Sequence, residues 1–162
     1  MTFKLTPAIK GLITAALMIA AALIIDSKRD TTDPRMQYFV LLIYVVGVAW
    51  AIIAFRQSVQ YAGGFAPLFG QGFRCFIVVT LIMAIFSFVF VKMHPEFVVE
   101  EAKYQRELLQ KDPNTLPTEI YGLVAKVKKQ YMVRYLSRAI FGYLVIGVGA
   151  TALVSALVTR RT

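Results

Sequence analysis

Four stretches of this chain contain no Asp, Glu, Lys, Arg or His: Gly11–Ile25, Met36–Phe55, Cys75–Val91 and Ala139–Thr159, of 15, 20, 17 and 21 residues. A helix needs about 20 mostly apolar residues to cross the ~30 Å hydrocarbon layer of a bilayer. The first block reaches that length if it extends back to Pro7 and Lys10 sends its ammonium to the interface. Lys10, Arg35, Arg56, Arg74, Lys92, Arg138 and Arg160 bracket the blocks, as expected where charged heads sit at the membrane surface. The pattern predicts an all-α integral membrane protein. Four transmembrane helices near 8–25, 36–55, 73–91 and 139–159 form a single membrane domain over 1–162, with an amphipathic helical segment between helices three and four.

Composition removes several classes. Hydrophobic residues make up 58% and charged residues 17%, too much apolar surface for a disordered chain. One cysteine excludes a disulfide scaffold, and one Cys with one His argues against a Cys/His metal site. No cofactor is expected. The first block has the basic start and length of a signal peptide. It is followed by Asp26-Ser27-Lys28-Arg29-Asp30, with no small-x-small cleavage site, so a retained helix is expected.

The connections differ in kind. Asp26–Arg35 reads as a short polar turn. Gly63, Gly64, Phe65, Phe69, Gly70 and Phe73 read as a tight turn and a short interfacial piece before helix three, with a re-entrant loop as the sharper alternative. The long connection, 92–138, holds most of the acid and half of the base. Pro95 breaks helix three and suits the first turn of a new helix, with Glu96, Glu100 and Glu101 near its positive end. Asp112-Pro113-Asn114 ends that helix. Ile120, Leu123, Val124, Val127, Tyr131 and Tyr135 then recur at helical spacing, and nothing obvious breaks the helix before Thr159. Lys126, Lys128, Lys129, Arg134 and Arg138 mostly take the other faces and are read as a lipid- or partner-contacting surface. Nucleic acid is not an expected partner, because membrane-flanking Lys and Arg raise the basicity of any such chain.

Four crossings put both termini on one side, with Lys4, Lys10, Arg56, Arg74, Arg160 and Arg161; the other side holds the remaining 12 basic residues. That count favours termini outside, whereas a short amino-terminal tail with no acid resists translocation. In lipid, small residues let helix backbones approach. Gly47 and Ala51 in helix two, and Gly147, Thr151 and Ser155 in helix four, are the expected packing stripes, with helix four set against helix one or two. Tyr38 and Trp50 read as interface anchors or packing.

Chemistry inside a bilayer needs ionisable groups at depth, and the blocks hold none. Thr80, Ser87, Thr151 and Ser155 lack an acid or imidazole partner and read as packing hydroxyls. His94 reads as a cap and Cys75 as a small buried hydrophobe. Catalytic residues are therefore not expected.

Gly63-Gly64-Phe65, then Phe69-Gly70-Gln71-Gly72-Phe73, a spanning helix, and His94-Pro95-Glu96 resemble a family of small bacterial membrane proteins frequent in Bacteroidetes, a domain of unknown function numbered four-one-nine-nine. The resemblance covers essentially the whole chain. It departs at His94, where an acid is expected, and in a more basic long connection. It implies four helices, termini in the cytoplasm of an inner-membrane protein, and no particular activity.

Three functions remain open at this stage. The first is a non-enzymatic accessory or assembly subunit of a bacterial inner-membrane complex, with 95–138 touching a membrane-protein partner or the lipid bilayer. The second is a small-molecule or lipid transporter working as a homo-oligomer. The third is an interfacial enzyme using His94, Glu96, Glu100 or Glu101.

Overall fold

The computed structural model describes residues 5–27, 35, 37–111 and 117–160. It is all-helical among those residues: α1 Pro7–Ser27, α2 Gln37–Arg56, α3 Phe65–Met93, α4 Glu96–Lys111 and α5 Pro117–Arg160. Four of these, α1, α2, α3 and α5, are long and apolar enough to cross a membrane. The polar connection after Ser27 and the break read at Asp112–Asn114 lie outside the described residues.

Local sequence sets the helix ends. Thr6 accepts the Ile9 N–H at 3.3 Å and Pro7 opens α1, a preformed first turn with its cap. After α2, the Ser58 hydroxyl and N–H both return to the Phe55 carbonyl, at 2.7 and 2.9 Å. Gly63 and Gly64 then take φ of 99° and 93°, a left-handed backbone that side chains disfavour, and the chain enters α3 directly.

Here the structure corrects the expectation for the turn. Only Gly63 and Gly64 belong to it, because α3 begins at Phe65. Phe65, Phe69, Gly70 and Phe73 are helical, and the rings stack along one face, with centroids 5.6 Å apart for Phe65–Phe69 and 6.3 Å for Phe69–Phe73. There is no re-entrant loop over these residues. Helix three thus starts eight residues before Phe73, and its 29 residues span about 43 Å.

α5 is one uninterrupted helix of 44 residues, about 66 Å, roughly twice what the hydrocarbon layer requires. The amphipathic stretch and the fourth spanning block are therefore one element. Pro95 separates α3 from α4, and the N–H groups of Phe97 and Val98 bond back to the carbonyls of His94 and Pro95 at 3.3 and 3.2 Å.

Two compact units divide the chain: Met1–Met83 with Ile140–Thr162, and Ala84–Ala139. The first is the apolar bundle. Its core holds Ala15, Met18, Tyr44, Val48, Ala51, Ile52, Leu68, Phe76 and Val79. The second contains the end of α3, all of α4 and the first half of α5.

Candidate functional site

Within the first unit the helices meet where a side chain is missing. A Cβ on Gly47 of α2 would run into the Thr14 side chain of α1. A Cβ on Gly11 of α1 would lie 2.7 Å from the Cys75 carbonyl oxygen of α3. On α3, a Cβ on Gly72 would lie 2.6 Å from Thr151 Cγ2 of α5 and 2.8 Å from Ile52 Cδ1 of α2. Gly147 of α5 leaves room for the Tyr44 hydroxyl and for Phe76, whose ring carbons would lie 2.8 Å away from a Cβ there. Close backbone approach of this kind is what holds helices together in lipid, where no hydrophobic drive acts between them.

The stripe of α5 therefore packs on α2 and α3. Gly147, Thr151 and Ser155 are all buried, as is Ala51 of α2. Gly47 instead serves the α1–α2 contact. Sequence reasoning did not assign Gly72, Tyr44 or Phe76 to helix packing. The available signal was the spacing Leu68, Gly72, Phe76, Val79, one face of a helix once α3 is allowed to start early.

Polar groups in the bundle are few. Thr14 donates to the Lys10 carbonyl at 2.8 Å, and Tyr44 donates to the Tyr143 carbonyl at 3.0 Å. The hydroxyls of Thr151 and Ser155 are buried with no hydrogen-bond partner among the described residues. No group of three or more His, Cys, Asp or Glu that could hold a metal occurs among the described residues.

The second unit is built differently. Rings line the corner around Pro95: Phe86–Phe90 at 5.5 Å, Phe90–His94 at 4.6 Å and Phe90–Phe97 at 5.8 Å between centroids. His94 Nδ1 and Glu96 Oε1 are 2.6 Å apart. Ala102 of α4 and Ile120 of α5 are buried, and the Arg106 guanidinium lies 5.2 Å over the Tyr121 ring with Nη2 3.4 Å from its hydroxyl.

Further along the first half of α5 the basic side chains are exposed. Lys126, Lys128, Lys129, Arg134 and Arg138 are all exposed. Lys126, Lys129, Gln130, Val133 and Arg134 line one shallow depression. Their spacing of 3, 4, 7 and 8 from Lys126 puts them on one helical face. Exposed apolar side chains accompany them: Tyr121 is 71% and Val133 67% exposed, and Tyr104 and Leu108 of α4 are exposed as well. Such a mixture of cations and apolar tips suits an acidic, partly apolar surface.

No curated protein and no solved structure matches the chain. Residues 8–161 match the family model described as "Protein of unknown function (DUF4199)", and the chain belongs to that family.

Proposed function

We propose that the chain is a non-enzymatic accessory or assembly subunit of a bacterial inner-membrane complex, with residues 95–138 as its contact segment. The observation that supports this reading is the uncovered face of α5. Lys126, Lys129 and Arg134 surround Val133 on a helix that extends well past the length needed to cross a bilayer. A small bundle anchors this arm, and the arm meets an acidic partner or the anionic membrane surface. Both termini lie in the cytoplasm in this proposal, as the family resemblance implies.

The test is affinity purification of the full chain from its native host in gentle detergent, beside a variant carrying Lys126→Glu, Lys129→Glu and Arg134→Glu. A partner present in stoichiometric amount with the original chain and lost from the variant, at equal membrane insertion, is the expected result. Equal recovery of that partner with both, or purification of the chain alone, removes the reading.

A transporter for a neutral small molecule or lipid is the second reading. It draws on the buried, unpartnered hydroxyls of Thr151 and Ser155, which are available to a polar solute. Flux through proteoliposomes that Thr151→Val abolishes is the result that would favour it.

A further inference from the structure

The order of residues along the open face of α5 says what shape of partner it accepts. Leu123, Lys126, Gln130, Val133 and Ser137 are all exposed and follow one another at steps of 3, 4, 3 and 4. That alternation is the seam of a helix paired with a second helix running alongside. Lys129 and Arg134 are exposed on either side of it, at the flanking positions where paired helices exchange charges. Lys126, Lys129, Gln130 and Val133 stand at i, i+3, i+4 and i+7, the four corners of a hole that receives one side chain of a neighbouring helix. These four and Arg134 line the shallow depression. The methylene stems of the two lysines can wall such a hole while their ammonium groups stay at its rim.

Charge selects the occupant. Lys126, Lys129 and Arg134 have no ion-pair partner among the described residues. The same face of a second copy would set three cations against three, which is repulsive. A bilayer surface is a poorer fit. Helices that lie on membranes sink a broad apolar face and keep their cations on the opposite side. Among the five residues lining the depression only Val133 is apolar, and it lies between the cations.

We propose that Lys126, Lys129, Gln130, Val133 and Arg134 form the socket for one α-helix of a partner protein, a helix that sets an apolar side chain on Val133 and carboxylates opposite the three cations. This rests on reading 95–138 as the contact segment and adds the form of what it contacts. Gln130, a polar residue within the seam, favours one register of that helix over its neighbours.

The test is fluorescence anisotropy of labelled peptides titrated with the full chain in neutral detergent. The acidic probe is a four-heptad peptide with Leu at the seam positions and Glu at the flanking ones, whose own like charges keep it from pairing with itself. A scrambled peptide of the same composition and a version with Lys at the flanks accompany it. The acidic probe is expected to bind at least about tenfold more tightly than either. Val133→Ser should weaken it about tenfold, the effect of losing one buried apolar side chain. Lys129→Glu with Arg134→Glu should transfer the preference to the basic peptide, and Lys103→Glu on α4 should change nothing. Equal binding of the scrambled peptide, or an unchanged preference after the charge reversal, overturns the proposal. Two further outcomes overturn it by giving the face another occupant. One is protection of Val133→Cys from a water-soluble maleimide in phosphatidylglycerol nanodiscs but not in phosphatidylcholine ones, which assigns the face to the membrane. The other is a dimer by light scattering that Lys129→Glu dissociates, which assigns it to a second copy. A native partner lost from the triple variant, with no peptide preference, keeps the accessory-subunit reading and removes only the helix; purification of the chain alone removes that reading whatever the peptides do.

Discussion

The Tyr44 phenol donates to the Tyr143 carbonyl at 3.0 Å, and the two rings meet edge to face with centroids 5.8 Å apart. One residue of α2 thereby grips α5 through a hydrogen bond and a ring contact together. Tyr44→Phe removes only the first. It should destabilise the bundle by about 0.5–1.5 kcal/mol, the range for a single hydrogen bond in water or between membrane helices. Unfolding in mixed micelles with increasing SDS, followed by circular dichroism, measures it.

A methyl group at Gly147 meets Phe76 and the Tyr44 hydroxyl, and one at Gly149 meets nothing within 4 Å. Gly147→Ala should therefore cost about 1–3 kcal/mol through overpacking. Gly149→Ala should be neutral or gain a few tenths, since alanine favours the helix. The same SDS titration separates the two, and equal midpoints would mean that α5 is turned differently from the arrangement described.

Thr151 and Ser155 bury hydroxyls that bond to nothing. Their removal at constant shape discards a desolvation penalty and no interaction. Thr151→Val and Ser155→Ala should leave the midpoint unchanged or raise it by up to about 1 kcal/mol. A loss larger than that in either would show that the hydroxyl has a partner in the membrane, such as a bound water or solute.

His94 and Glu96 form a close pair at a half-exposed site, with side chains 32% and 53% accessible. Pairs of that exposure are worth about 0–1 kcal/mol. Glu96→Gln should fall inside that range. His94→Ala should cost more, by about 0.5–1.5 kcal/mol, because the imidazole also lies against Phe90 and Phe97 at 4.6 and 5.3 Å. Thermal unfolding of both variants distinguishes a ring that packs from a charge that pairs.

The fold class is legible in the sequence because a bilayer imposes one rule, about 20 residues without charge, and four stretches approach or obey it. The start of α3 is not legible in the same way. Gly70-Gln71-Gly72 looks like a breaker by local propensity, yet Gly72 is required inside the helix to admit Thr151 and Ile52. The reason lies on α5 and α2, at 79 and 20 residues' distance in sequence, where no local pattern points. Lys10 is similar: spacing presents it as a side chain free to reach the surface, and only the fold sets its Nζ 5.6 Å from the centroid of the Trp50 ring. Small residues at four-residue steps mark a helix as able to pack closely, but they do not say against which neighbour.

The separation of Tyr44 and Tyr143 by 99 residues also has a meaning in time. At roughly 5–20 residues per second of synthesis, Tyr143 is made roughly 5–20 s after Tyr44. Between the synthesis of Met93 and that of Pro117, α1, α2 and α3 exist without α5, and until Tyr143 is made the Tyr44 hydroxyl lacks its acceptor. The nascent chain is at its most vulnerable to mispairing with foreign helices and to membrane proteases in that window, which the arrival of α5 closes.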